Sequence, residues 1–360
     1  MQKVAIFQES RFLPLIRPAL RQHGLLIAVT GLYALIAFSL TRIHAPVMES
    51  GMGWVLVWNF LSYVPGMIYF MLLWRFLHMR FVVRPCDQMA WFRTDIRATV
   101  TDPQRIVTGV IGFVLVVTIM ISFGLLKKLI PILQPFSWDE AFAAIDNSVH
   151  FGLDPWRVLH GVIGYSWIIT LVTGAYNYWM FLLYFVLLLT CFSTTDPWTR
   201  IRYLIAFVFC WGVGGNLVAT LFSSAGPVYY ERLGFGDYYA PLMQALHEHA
   251  TSQPITVLEP QDALWEYYAG PVGLNGISAF PSMHVASTVL MTLYAWQFSR
   301  LAGRIMVGFS VVILLGSVLL AWHYAVDGYA GIVIAFLSWW GAGTLMRLFP
   351  RWTPPRTLAM

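Results

Sequence analysis

Charge is scarce in this sequence. Only 11% of its residues are Asp, Glu, Lys or Arg, while 58% are hydrophobic; soluble domains carry about 25% charge. That balance excludes both an ordinary soluble protein and a disordered chain. Cysteine is scarcer still. Cys86, Cys191 and Cys210 lie far apart and two of them fall inside apolar runs, which leaves no disulfide framework and no cysteine-based metal cluster. Short alternating strands are missing, so an outer-membrane barrel does not fit. Internal repeats are absent too. The glycines of WGVGG and GPVGLNG lack the spacing of a nucleotide-binding loop. The net charge of +5 does not point to nucleic acid, because the basic residues cluster beside apolar runs, as they do in bilayer proteins.

What remains is long apolar runs at helical length. Spans are expected at 24–42, 53–74, 106–126, 170–194, 201–222, 282–299, 305–323 and 325–346. Residues 1–23 read as a cytoplasmic leader rather than a removable signal peptide, since no small-residue cleavage site follows a short apolar core. Arg75, Arg80, Arg84, Arg93, Arg97 and Arg105 crowd the segment 78–105 and its edges, the strongest positive-inside signal in the chain. Arg200 with Arg202, Arg300 with Arg304, and Arg347 with Arg351 mark further cytoplasmic ends. Lys127 and Lys128, at the outer end of the third span, oppose this bias and are outweighed. A single crossing over 161–194, preceded by an interfacial piece near 156–168, keeps every arginine cluster inside. The reading is therefore two N-terminal helices (24–77), a basic loop (78–105), a six-helix membrane domain (106–346) with outer segments 129–160 and 223–281, and a cytoplasmic tail (347–360).

Two motifs carry chemistry. FPSMHVAST places His284 where one span begins, and AWHYAVDGYAG places His323 where a later one ends. About 18–20 helical residues cover one hydrocarbon thickness, so the chain descends from His284 and returns His323 to the same outer face. Pro281 suits the first turn of the descending helix, and Ser282 can cap it or meet an anion there. Asp327 follows His323 by four residues, close enough on a helix to hold one ring nitrogen and leave the other reactive. Two imidazoles, one oriented by a carboxylate, suit covalent phosphoryl transfer: one attacks phosphorus, and the other handles the proton of the leaving and accepting oxygens. His247 and His249 resemble half a metal site, with no third ligand to complete it.

These motifs resemble the second and third motifs of the type 2 phosphatidic acid phosphatase superfamily, most convincingly from SSAGPVYYE to the last span. The resemblance implies an all-α integral membrane protein with a six-helix catalytic core and two extra N-terminal transmembrane helices. It also implies His323 as nucleophile, Asp327 as its orienter and His284 as acid/base, with no metal or cofactor. The sequence departs from the common phosphatases, which carry Ser-Arg at the positions of Gly316 and Ser317 and Gly at the position of Met283. A first motif bearing lysine and arginine is not evident. The branch that similarly lacks these residues is similar to inositol phosphorylceramide and sphingomyelin synthases. This favours transfer of a phospho-headgroup from a phospholipid to a lipid alcohol, with hydrolysis of a lipid phosphate or polyprenyl diphosphate as the alternative. Arg232, Tyr229 and Tyr230 are the candidate replacements for the phosphate clamp. Asp146, His150 and Asp154 are the candidates for headgroup recognition. The site is expected on the extracytoplasmic side of a membrane, read as the bacterial inner membrane.

Overall fold

Proline suits the first residue of a helix, where its missing N–H costs nothing, and aspartate suits the position before it. The chain uses that pair three times, at Asp102-Pro103, Asp154-Pro155 and Asp196-Pro197, and each opens a helix. The computed structural model describes residues 2–44, 52–252, 257–270 and 276–356, and among them every regular element is helical. In order these are α1 (Gln2–Gln22), α2 (Gly24–Ile43), α3 (Met52–His78), α4 (Gln88–Val100), α5 (Pro103–Leu133), α6 (Asp139–Val149), α7 (Pro155–Ile163) and α8 (Ser166–Phe192). There follow α9 (Pro197–Phe209), a π-helical stretch (Cys210–Val218), α10 (Ala219–Leu221), α11 (Ala240–Ser252), α12 (Leu258–Ala269), α13 (Met283–Trp296), α14 (Arg300–Leu319) and α15 (Ala325–Leu348).

Among the described residues seven stretches are long and apolar enough to cross a bilayer: Gly24–Ile43, Leu61–Val83, Pro103–Leu133, Ser166–Phe192, Pro197–Leu221, Arg300–Leu319 and Ala325–Leu348. The protein is an all-α integral membrane protein. Of the eight expected spans, the one at 282–299 is not among them. Its helix, α13, has 14 residues, about 21 Å at the helical rise, short of a hydrocarbon core of about 30 Å. It is nevertheless central, packed chiefly against α14 and α15, with Val285, Ala286 and Leu290 wholly buried. Within 161–194 the short α7 ends at Ile163 and α8 runs unbroken over Ser166–Phe192, the one helix there long and apolar enough to cross a bilayer. Residues 2–22, expected as a leader, form α1, which packs against α5. The basic segment 78–105 contains α4, tied back by an Arg75–Asp95 ion pair.

The core comprises α5, α8, the α9–α10 unit, α13, α14 and α15, with α2 and α3 laid against α5. The π-helical stretch turns Asn216 toward two neighbours at once: Tyr33 of α2 donates to its Oδ1, and its Nδ2 donates to Phe123 O of α5 at 3.4 Å. The arginines read as cytoplasmic markers are also structural. Arg105 donates to Phe192 O at 3.0 Å, and Arg200 to Cys191 O and Ser193 O at 3.0 and 3.3 Å. The last carbonyls of α8, which have no partner within the helix, are thus met by guanidinium groups. Such charge-assisted bonds contribute about 1.5–3 kcal/mol each.

His23 completes this knot. It has no exposed surface; its Nδ1–H donates to Ala19 O at 2.8 Å and its Nε2 accepts from Arg200 Nη2 at 3.1 Å. Burial, and then the Arg200 charge, push its imidazole down from 6.5 to about 4. Because the unfolded chain binds the proton more readily, the stability His23 confers is full above the unfolded value and is lost as pH falls toward the folded one. The unfolding midpoint in micelles is therefore expected to drop between pH 7 and 4.5. H23Q, which keeps a donor and an acceptor but does not titrate, should flatten part of that slope. An H23Q profile parallel to wild type would remove His23 as a source.

Candidate active site

The turn between α14 and α15 is short and strained. Ala321 adopts a left-handed φ of 62°, a conformation that costs a residue with a Cβ roughly 1–2 kcal/mol. The chain around it is held from three directions: Ala321 O accepts from Val228 N at 3.0 Å, His323 N donates to Ser317 O at 3.0 Å, and Tyr324 Oη donates to Asp139 Oδ1 at 2.9 Å. From this turn α15 starts, and Asp327 closes its first turn. One carboxylate oxygen, Oδ2, accepts from Tyr324 N at 3.1 Å and from His323 Nδ1 at 3.3 Å. The main-chain oxygen of Asp327 accepts from Ser282 N at 2.9 Å, which ties the start of α13 to the start of α15. Gly331 allows the approach, since a Cβ there would lie 2.6 Å from Ser282 O.

His284 is the second residue of α13, whose N-cap Ser282 accepts from Val285 N at 3.4 Å. Pro281 lies one residue before this cap rather than in the first turn. The His284 ring stacks on Tyr176 at 4.4 Å and tilts against Trp179 at 4.2 Å. Trp179 is fixed in turn by its Nε1 donating to Ser287 Oγ at 2.9 Å. With the Nδ1 proton of His323 directed at Asp327, its Nε2 holds a lone pair, and this faces His284 Nδ1 at 3.4 Å. Both rings border a cavity of about 600 Å³. Tyr176 and Trp179 lie near the middle of α8, so the pair is recessed rather than at the outer mouth.

The structure brings His284, His323 and Asp327 together and adds two residues that sequence reasoning set aside. Lys127 and Lys128 line the same cavity. They were read as residues beyond a span ending at 126, but α5 continues to Leu133. The signal was present in their defiance of the positive-inside bias.

The remaining candidates are placed elsewhere or occupied. Arg232 pairs with Asp262 at 2.5 Å and does not border the cavity. Tyr229 borders it, with its hydroxyl donating to Gln261 O at 2.9 Å. Tyr230 is buried among Phe235, Tyr238 and Tyr239. Asp154 accepts from Tyr238, Asn147 and Arg157; burial pushes its carboxyl up, but these donors together hold it below the usual carboxylate range. His150 bridges Asp146 O at 2.6 Å and Tyr329 Oη at 2.9 Å.

Asp146 itself caps α15, accepting from Ala325 N at 2.7 Å and Val326 N at 2.8 Å. One face of α6 thereby carries two anchors, because Asp139 accepts from Ala225 N and Gly226 N as well as from Tyr324. Burial pushes both carboxyls up, against the pull of these donors. The segment 129–160 thus props the histidine turn, and its aspartates, Asp139, Asp146 and Asp154, are engaged by the protein itself.

Residues 140–341 match the family model of the PAP2 superfamily. No curated protein and no solved structure matches the chain. Lys127, Lys128 and Asp139 stand outside the matched stretch.

Replacing Asp146 separates scaffolding from headgroup recognition. D146N turns an amide N–H toward the α15 amides, a lost buried hydrogen bond of about 1–3 kcal/mol. The unfolding midpoint and turnover should fall together with KM unchanged. A raised KM at wild-type stability would return Asp146 to the headgroup.

Proposed function

The chain belongs to the PAP2 superfamily, and from that premise we propose that it moves a phospho-headgroup from a phospholipid to a lipid alcohol through a phosphohistidine at His323. Membership makes it an enzyme of the lipid phosphatase and phosphotransferase type, acting on phosphate esters at a membrane. The observation that carries the finer reading is the relay Asp327 Oδ2, His323, His284, with separations of 3.3 and 3.4 Å, bordering one cavity.

The chemistry follows from the tautomers. Asp327 keeps the proton on His323 Nδ1, so the Nε2 lone pair attacks phosphorus. The bond to the leaving diacylglycerol oxygen breaks, and its electron pair takes a proton from His284. In the second half, His284 removes the proton of the incoming alcohol, whose oxygen displaces His323 from phosphorus. At rest the two ring nitrogens face each other, too close for a phosphoryl group between them, and they must part to admit one. Lys127 and Lys128 supply the positive charge that a phosphoryl oxygen requires, taking the role assigned to Arg232. The walls contributed by Phe123, Met180 and Trp211 suit an apolar chain. A site on the extracytoplasmic face of the bacterial inner membrane is supported by the arginine clusters at the opposite helix ends.

One observation favours plain hydrolysis. Two lysines side by side match the second charge of a phosphate monoester, which a phosphodiester lacks. The same residues would then pass the phosphoryl group to water.

Purified protein in mixed micelles with a headgroup-labelled phospholipid, with and without ceramide or diacylglycerol, distinguishes these outcomes. Label is expected in an acceptor lipid and in acid-labile linkage to wild type, with H323A inactive. D327N should lose turnover by roughly 10³- to 10⁴-fold while keeping its fold, since an amide oxygen still accepts from Tyr324 N. Release of label only to water would establish a phosphatase. H323A as active as wild type across a broad substrate panel would end the catalytic reading.

A further inference from the structure

Tyr176 has a hydroxyl without a purpose in the resting protein. The residue is 5% exposed, and its Oη has no hydrogen-bond partner among the described residues. Several other tyrosine hydroxyls are engaged, Tyr33 with Asn216, Tyr229 with Gln261, Tyr238 with Asp154 and Tyr324 with Asp139; Tyr203 Oη is also unpaired, but that residue does not border the cavity. Leaving a phenol O–H unpaired in apolar surroundings costs on the order of 1–3 kcal/mol. Phenylalanine would fill the space and stack on His284 without that cost.

Its setting points to the missing partner. Tyr176 borders the cavity together with His284, His323 and Lys127, and its ring is the one stacked on His284. On its other side α14 is bare: a Cβ at Gly316 would lie 2.6 Å from Val172 Cγ1 and 3.5 Å from Tyr176 Cδ2. Among the residues that border the cavity the cations are Lys127 and Lys128, with no guanidinium. Charge builds on the non-bridging oxygens as phosphorus becomes pentacoordinate, and a fixed directional donor there stabilises it beyond what mobile ammonium groups supply. Trp211 and Trp322 border the same cavity and their Nε1 atoms are likewise unpaired, but neither ring stacks on His284.

We propose that Tyr176 is a catalytic residue, whose hydroxyl donates to a non-bridging phosphoryl oxygen as phosphorus becomes pentacoordinate. The inference rests on the histidine mechanism above. In the step concerned, His323 Nε2 forms a bond to phosphorus, the bond to the leaving oxygen breaks and that oxygen takes its proton from His284. The Tyr176 proton stays on Tyr176. The residue thus supplies a neutral, directional donor in place of a guanidinium, held in register with the acid/base by the shared stack.

Y176F keeps the ring and removes only the donor. Orthovanadate, which adopts the pentacoordinate geometry, and orthophosphate, which does not, are the probes, read by ligand-induced shifts of the unfolding midpoint in micelles. Y176F is expected to weaken vanadate roughly 100-fold, in line with loss of one preorganised donor, while orthophosphate changes less than about threefold on the same argument. The kcat for lipid-phosphate turnover or transfer should fall by a similar factor with KM little changed. As a second probe, 3,5-difluorotyrosine at 176 acidifies the phenol with little change of shape, and should move the alkaline limb of kcat to lower pH. Wild-type vanadate affinity and kcat in Y176F, with H323A inactive, would overturn this inference and leave the histidine mechanism standing. H323A that still binds vanadate and turns over would instead bring down the mechanism itself. Should Y176F fail to fold, an unmoved alkaline limb in the difluorotyrosine protein overturns the inference in its place.

Discussion

A carboxylate with no exposed surface inside a bilayer protein is the constraint around which this site is arranged. Charge there is costly, and Asp327 is wholly buried. It lies in the first turn of α15, where unpaired amides and the helix dipole favour an anion. Its Oδ2 takes the Tyr324 amide and the His323 ring, while its main-chain oxygen takes Ser282 N. The same residue therefore starts a helix, fixes a tautomer and docks the other histidine motif. Its side chain and its main chain serve the site separately: the carboxylate orients His323 and the main-chain oxygen docks α13.

Asp139 and Asp146 solve the same problem in the same way. Each is buried and each is met by backbone amides, those of Ala225 and Gly226 in one case and of Ala325 and Val326 in the other. The donors to the three carboxylates are main-chain amides, the Tyr324 hydroxyl and the His323 ring. A short amphipathic helix outside the bundle thus fixes the turn that carries His323, and it does so by capping rather than by apolar packing alone.

The parts of this arrangement that were legible in the sequence are those with a local signature. Long apolar runs give spans, and a Pro-Ser-x-His segment paired with His-x-x-x-Asp gives the histidine site. What was not legible depends on where a helix stops and on which partner a polar group finds. The third span seemed to end before Lys127, because lysine is a common flank; the helix in fact runs through Pro131 to Leu133. Apolar composition alone made 282–299 a full span, whereas α13, capped at its start by Ser282, already ends at Gln297. Acidic residues at 146 and 154 looked available for a ligand because their donors, the amides of α15 and the Tyr238 hydroxyl, are distant in sequence. Long-range partners of that kind leave no periodicity to read.

The resting contact between the histidines has a consequence for how such a site stays competent. In a low-dielectric cavity an imidazole nitrogen without a partner is costly. At 3.4 Å the His284 Nδ1–H and the His323 Nε2 lone pair satisfy one another, so the nucleophilic nitrogen is occupied in the resting site. Admitting a phosphoryl group breaks that contact, and the cost must be offset by attraction between the phosphoryl charge and Lys127. An apolar lipid without phosphate offers no such compensation and leaves the pair closed. Under the proposed mechanism, selectivity for phosphate esters would then arise from the chemistry that opens the site, before any bond to phosphorus is made.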